Sequence, residues 1–526
     1  MSVYDYVVVG AGSAGCVLAA RLTEDPESRV ALVEAGGEDT QPEIHIPAAF
    51  PALFKSSLDW DLLGEREPGL DNRRLYLPRG RMLGGCSSIN AMIYIRGNRA
   101  DYDGWAAAGC EGWGYDDVLP YFKRSEDNER GEDHHHGVGG PMQVADGRSL
   151  HPLVDAMLEA ARLAGHEHNP DFNGARQEGV GRFQLTQRNG WRCSTADAFL
   201  RPAAERPNLE IIAHAMAIRV LFEGTRAVGV EIAREGRVEQ LRAEREVILA
   251  AGAYQSPVLL MLSGIGPEDQ LAPLGIEIRE PLPVGHNLQD HCMAQVNYLT
   301  DQQSLFMATT PENIALLQSE GRGALTSNIP EGAGFFRARA GLDAPDVEFH
   351  FAPSLFFDEG LTAPADHGYC FGPVVISPSS RGRVMLRAPL PDSKPRVLCN
   401  FLTTEEDRES MLIGMRMALE IARQAPLKAV ERAPFSVPES ESDEDLMAFA
   451  RRAGQSVYHP TSTCAMGAVV DNELRVLGFE GLRVVDASVM PHITRGNTNA
   501  PVIMIAERAA DLIRTASVPP VAEVLA

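Results

Sequence analysis

The stretch Val7-Val8-Val9-Gly10-Ala11-Gly12-Ser13-Ala14-Gly15, with Val30-Ala31-Leu32-Val33-Glu34 after it, decides how the rest of the chain is read. A run of β-branched residues breaks into G-x-G-x-x-G and then into Cys16-Val17-Leu18-Ala19-Ala20-Arg21-Leu22, the pattern of a strand, a tight turn and a helix. In such a turn Gly10 permits the reversal, Gly12 lets a pyrophosphate approach the backbone, and Gly15 lets helix and strand pack closely. The helix N-terminus adds unpaired N–H groups and a positive dipole for the phosphates. Glu34 closes the second strand, where an acid accepts hydrogen bonds from a ribose diol. On its own G-x-G-x-x-G is only a glycine-rich turn. Strand, turn, helix, strand and acid in register indicate an adenine dinucleotide, without separating FAD from NAD.

At 526 residues the chain is too long for one ordinary core, so two or more domains and a deep internal cavity are expected. The 48 basic and 72 acidic residues leave a net charge of −24. Such a surface repels phosphate backbones and anionic lipid, which argues against nucleic-acid and peripheral membrane partners. Cys16, Cys86, Cys110, Cys193, Cys292, Cys370, Cys399 and Cys464 are scattered without a C-x-x-C pair, as reduced thiols in a cytoplasmic protein would be. No Lys or Arg precedes the N-terminal apolar run and Asp5 interrupts it, so it reads as strand and helix rather than as a signal peptide. No apolar stretch reaches the roughly 18 residues of a membrane span.

Further along, Gly36 to Arg79 is rich in Pro and Gly and reads as an irregular surface excursion. In Arg79-Gly80-Arg81-Met82-Leu83-Gly84-Gly85-Cys86-Ser87-Ser88-Ile89-Asn90-Ala91-Met92 the paired glycines mark a close backbone approach, and the apolar run after them resembles a helix start. Leu150, Leu153, Val154, Met157, Leu158 and Ala161 have helical spacing. Strands are expected at 209–212, 217–222, 227–232 and 246–253, then a glycine-stopped helix at 258–266. From about Met293 to Ser436 the texture changes to mixed strands and loops, a second domain, with helical periodicity at 411–423. Glycine-rich sequence returns at Val457 to Gly467, followed by a strand at 481–486, Arg495-Gly496-Asn497-Thr498-Asn499-Ala500-Pro501 and a closing helix. Adjacent His134, His135 and His136 diverge and read as a solvated loop, with no metal site expected. Neither G-x-S-x-G nor a P-loop occurs.

Five ordered motifs carry a resemblance that runs nearly end to end. They are the opening fingerprint with Glu34, the 80–90 loop, Gly252-Ala253-Tyr254-Gln255-Ser256-Pro257 with Ser263-Gly264-Ile265-Gly266-Pro267, Val284-Gly285-His286-Asn287-Leu288-Gln289-Asp290-His291, and the His459 and Asn497 segments. Together they resemble the glucose-methanol-choline (GMC) family of FAD oxidoreductases, and within it the choline-dehydrogenase-like and aryl-alcohol or hydroxymethylfurfural oxidases. The resemblance implies an α/β fold: a Rossmann-like FAD-binding domain from residues 1–150, 205–295 and 450–526, and a second α+β substrate-binding domain, built on an antiparallel sheet, from 151–204 and 296–449. It implies FAD contacts at Gly10, Gly12, Ser13, Ala14, Gly15, Glu34, Ala35, Gly84, Ser88, Asn90, Ala91, Met92, Val220, Asp486, Ala487, Asn497 and Asn499.

The implied chemistry is oxidation of a primary alcohol to an aldehyde. An alcohol is a poor hydride donor until its hydroxyl proton leaves, so a base is needed beside its oxygen and an acceptor facing its α-carbon. The resemblance gives the first role to His459, with Asn497 donating to the forming alkoxide, and the second to flavin N5, with O2 or another acceptor reoxidising the flavin. The same fold also hosts a hydroxynitrile lyase and a photodecarboxylase, which leaves a flavin-dependent lyase or decarboxylase as the alternative. One family member bonds flavin covalently through a histidine that follows Cys-Ser-Ser in the glycine loop. This chain has Ile89 there, and a hydrocarbon has no lone pair to form that bond, so non-covalent FAD is expected.

Overall fold

Val7, Val8 and Val9 and all four residues of Val30–Val33 are buried, as central strands must be when helices cover both faces of a parallel sheet. The computed structural model, which describes residues 2–516, places the two strands side by side. Ser2–Val9 pairs in parallel with Val30–Val33 on one edge and with Arg237–Leu249 on the other. Leu209–Ile212 and Leu482–Val484 extend the ladder in parallel at its ends. The first half of Arg237–Leu249 leaves this layer and forms an antiparallel arm with Arg226–Arg234 and Ala215–Glu223.

Helix Ser13–Leu22 packs on the sheet and also against Asn499–Thr515, although almost the whole chain separates the two helices. Arg21 grips the buried Glu507 through Nε and Nη2 at 2.8–3.1 Å, and Ser13 Oγ donates to Asn499 Oδ1 at 2.7 Å.

A second sheet is antiparallel throughout, in the order Glu431–Ser436, Val296–Thr300, Gly368–Val375, Val347–Ala352, Gly332–Phe336, Gly179–Arg182. Pro152–Leu163 and Glu405–Ala422 pack on it. The two-residue strand Cys292–Met293 pairs with both Gly368–Val375 and Gln455–Ser456. Both short strands, which the sequence assigns to the FAD-binding segments, therefore belong to the second sheet. The architecture is α/β, a Rossmann-like layer joined to an α+β unit on an antiparallel sheet.

Three local expectations need correction. The 36–79 region is not an irregular excursion: it contains an antiparallel hairpin, Leu62–Glu67 with Arg73–Leu77, whose register shift between Leu63 and Arg66 spoils the alternation that would have revealed it. No helix follows Ser88. Asn90 Oδ1 accepts the Met92 N–H at 2.9 Å, Met92 takes φ +57°, and helix resumes only at Arg99–Ala107, capped by Asn98 and Asp101. The helix expected at 258–266 is Gly252–Leu262; it is buried nearly all round, so no polar face marks its start.

Candidate active site

Two glycine turns make the floor of the principal cavity, which holds about 310 Å³. Gly10 has φ +101°, and a Cβ there would lie 2.6 Å from the Ala250 carbonyl oxygen. Gly84 N–H donates to the Ala11 carbonyl at 2.8 Å, and a Cβ on Gly85 would come within 2.7 Å of Gly12 Cα. Backbone thus meets backbone, and the helix that starts at Ser13 has no side-chain cap over its first N–H groups. Gly12, Ser13 and Ala14 stand on the cavity wall at that helix end, the arrangement a pyrophosphate requires.

Glu34, also on the wall, accepts the N–H groups of Ala11 at 2.9 Å and Gly36 at 2.8 Å, while burial raises its pKa above the usual carboxylate range. Each oxygen keeps a further lone pair for a ribose hydroxyl. These features fit an adenine dinucleotide.

Gly10, Ala35, Asn90, Ala91, Met92, Asp486, Ala487, Asn497 and Asn499 line the same cavity. Asp486 spends its carboxylate inside the protein, accepting from Gly252 N–H at 2.8 Å, Ser256 Oγ at 2.5 Å and Ser488 N–H at 2.8 Å. Four residues of the sequence reading are off the wall. A Cβ on Gly15 would sit 1.8 Å from the Gly10 carbonyl oxygen, so that glycine serves helix–strand packing. Gly84 and Ser88 build the second turn, with Ser88 Oγ bonded to the Leu83 carbonyl at 2.9 Å. Val220 is turned into the core, its N–H bonded to Ser263 Oγ at 2.9 Å; the cavity takes Ala215, Met216 and Ala217 from that strand instead.

At the far end of the cavity two imidazoles and an amide form a chain. His459 Nδ1 lies 3.0 Å from His291 Nδ1, and His459 Nε2 lies 3.1 Å from Asn497 Nδ2. Asp290 fixes the backbone of both rings: its Oδ1 accepts the N–H of His291 and of His459 at 2.8 Å each, and its Oδ2 accepts Ser456 Oγ at 2.6 Å. Burial raises the Asp290 pKa to about 6 and lowers that of His291 to about 3. For His459, burial first and then the fields of His291, His350 and Arg79 push the pKa well below the ordinary histidine value. Both rings are therefore neutral at pH 7. Asn497 Oδ1, on the wall, is buried without a protein partner, as is His291 Nε2 behind it, so the wall keeps an acceptor for a bound group.

The sequence reading named neither His291 nor His350 as a site residue. His291 sat within a motif already quoted. His350 lies on the strand Val347–Ala352, where alternation places Glu348, His350 and Ala352 on one face; His350 and Ala352 reach the cavity, and Glu348 holds His350 Nε2 at 3.2 Å. Phe50, Phe54 and Trp60 come from the supposed surface excursion. The triplet His134–His136 is not a solvated loop at its last member: His136 is buried, 3.1 Å from Glu126 and 2.9 Å from Asp171, and these carboxylates outweigh burial to raise its pKa to about 9.

Among the described residues no helix is long and apolar enough to cross a membrane, and no group of three or more His, Cys, Asp or Glu could hold a metal ion.

Comparison with known proteins gives this geometry its lineage. The family descriptions of the two parts of the GMC oxidoreductases match residues 4–293 and 378–506. An uncharacterized GMC-type oxidoreductase of Mycobacterium tuberculosis is 45% identical over 97% of this chain and 99% of its own. Mitochondrial choline dehydrogenase of Mus musculus is 44% identical, over 97% of this chain and 89% of that protein. The crystal structure of pyridoxine 4-oxidase from "Mesorbium loti" superimposes with a TM-score of 0.90 at 33% identity, covering 98% of this chain and 100% of the other. The chain thus belongs to the GMC oxidoreductase family and is an FAD-dependent oxidoreductase acting on CH–OH donors.

Proposed function

We propose that the protein oxidises primary alcohols to aldehydes, with His459 as the base and FAD held without a covalent bond. The observation that carries this reading is the chain His291–His459–Asn497, in which His459 and Asn497 stand on the cavity wall and His291 backs them, with both rings neutral. In it the Nδ1–H of His459 donates to His291 Nδ1, which fixes the tautomer and leaves on His459 Nε2 a lone pair that accepts the Asn497 amide N–H at 3.1 Å until an alcohol hydroxyl takes its place. That lone pair takes the hydroxyl proton. The Asn497 amide, which cannot titrate, donates to the alkoxide as it forms. Bound FAD supplies the hydride acceptor at N5, and O2 or another acceptor returns it to the oxidised state.

The residues proposed to hold FAD are those of the wall, Gly10, Gly12, Ser13, Ala14, Glu34, Ala35, Asn90, Ala91, Met92, Ala487, Asn497 and Asn499, with Ala217 in place of Val220. Gly15, Gly84, Ser88 and Asp486 shape the turns behind them. Ile89 on the wall offers no nucleophile. Segments 1–150, 205–295 and 450–526 would form the FAD-binding domain and 151–204 with 296–449 the substrate-binding domain, residues 517–526 lying outside the described part. The eight unpaired cysteines accord with a reducing, cytoplasmic setting.

The test is anaerobic titration of the yellow protein with benzylic, furanic, linear aliphatic and choline-type alcohols, with peroxide assayed in air. Bleaching by at least one primary alcohol is expected. A flavin that stays oxidised with all of them would overturn the reading.

A further inference from the structure

The electrostatics of the cavity wall select among alcohols. Among the described residues its only carboxylates are Glu34 and Asp486: the first follows the strand Val30–Val33 at the dinucleotide end, and the second accepts three protein donors. Behind the wall Asp290 also accepts three protein donors, and Glu348 is fully buried behind His350. The one fixed charge on the wall beside the catalytic histidine is positive. Arg79 donates through Nη2 to the Tyr458 carbonyl, next to His459, at 2.6 Å and through Nε to the Pro78 carbonyl; it forms no ion pair among the described residues.

Aromatic faces could still attract a cation. Two of those on the wall are already taken, since the Arg79 guanidinium lies 5.8 Å from the Tyr254 ring and Arg81 lies 5.1 Å from Trp60. A quaternary ammonium entering this chamber would lose its water, find no carboxylate beside His459 among the described wall residues, and meet Arg79, which the buried Asp59 and Asp290 offset only from behind the wall. Phe54, Phe356, Met293, Ile329, Pro330 and Ala352 give the chamber apolar surface, and the polar side chains beside them, among them Gln295 and Tyr458, are uncharged.

Resting on the oxidation reading above, we propose that the chamber accepts uncharged, apolar primary alcohols and rejects quaternary-ammonium alcohols such as choline, in spite of the chain's 44% identity to a choline dehydrogenase. Charge, not shape, makes the distinction.

A pair of alcohols of the same shape isolates that variable: choline, and 3,3-dimethylbutan-1-ol, in which carbon replaces the ammonium nitrogen. Stopped-flow flavin reduction should show kcat/KM about 100-fold higher for the neutral member. A ratio below tenfold, or no reduction by either while benzyl alcohol bleaches the flavin, overturns the selectivity alone; no bleaching by any of the three overturns the oxidation reading as well. A second readout needs no turnover. Tetramethylammonium chloride should leave the melting temperature where equal sodium chloride leaves it, and a rise specific to tetramethylammonium counts against the proposal. Met293 is on the wall of the same cavity as His459, so Met293→Glu adds a carboxylate to that wall. In a variant that remains yellow the choline-to-neutral ratio should rise at least tenfold; Gln295→Glu serves if that variant fails to fold. An unchanged ratio in the yellow variant overturns the proposal.

Discussion

The two sheets meet the cavity in different ways. The parallel sheet offers it backbone: N–H groups at the start of Ser13–Leu22, the Gly10 turn, and the Gly85 backbone in van der Waals reach of Gly12. The antiparallel sheet offers it side chains, among them Met293, Gln295, His350 and Ala352. A backbone wall has no spare room and admits one class of ligand. A side-chain wall can be repacked residue by residue while its strands stay paired. On the proposed reading, binding of the dinucleotide and choice of the alcohol fall to separate parts of the molecule, and the two parts should respond differently to mutation.

The largest effect is expected on the backbone side. Gly10→Val puts a branched side chain at φ +101° and into the Ala250 carbonyl, so purified protein should carry no FAD or fail to accumulate as a folded species. Yellow, fully loaded protein would break the comparison. Next comes the shared corner. His459→Ala should keep FAD and slow its reduction by saturating alcohol by about 10²- to 10⁴-fold, roughly 3 to 5 kcal/mol of barrier. Because the pKa of His459 is depressed, the base is already neutral at mildly acidic pH, and kcat/KM of the parent should not fall between pH 8 and pH 6.5 through this group. A variant as fast as the parent would remove His459 from the chemistry.

A smaller effect is expected at the buried ion cluster of His136, Glu126 and Asp171. The folded pKa of His136, about 9, lies above the unfolded value of roughly 6.5. Its contribution is fully present below pH 6.5 and is lost as pH rises through 9. Discounted for solvent screening, it should amount to about 1–2 kcal/mol, seen as a slope in denaturant stability over that window that His136→Gln flattens. An equal slope in the variant would assign the effect elsewhere. The finest test concerns attachment. Trichloroacetic acid should leave a white pellet and put all FAD in the supernatant, for the parent and for Ile89→Val alike, and flavin bound to peptide would contradict this.

Legibility in the sequence follows the same division. Val7 to Gly15 and Val30 to Glu34 could be read because a turn that must meet phosphate tolerates few residue types. The second sheet announced itself only as a change of texture: Val347–Ala352 alternates apolar and polar residues, but it is buried on both faces, so the alternation marks a strand without telling which face meets a cavity. Val220 stands off the cavity wall for a related reason. Ala217 and Val220 both fit a strand, and the register irregularity between Ala217 and Arg219 decides which of them meets the cavity. Phe50, Phe54 and Trp60 escaped because their segment has no period of its own and is positioned by what it covers.

The grip of Arg21 on Glu507 and of Ser13 on Asn499 also sets a timetable. Helix Ser13–Leu22 leaves the ribosome long before Asn499–Thr515, the helix that packs on it. At about 5–20 residues per second the gap between them is roughly 25 to 100 s. Throughout that interval Val17, Leu18 and Ala20 belong to an apolar surface still lacking its partner, so the nascent chain, more than the finished enzyme, is the species that needs a chaperone.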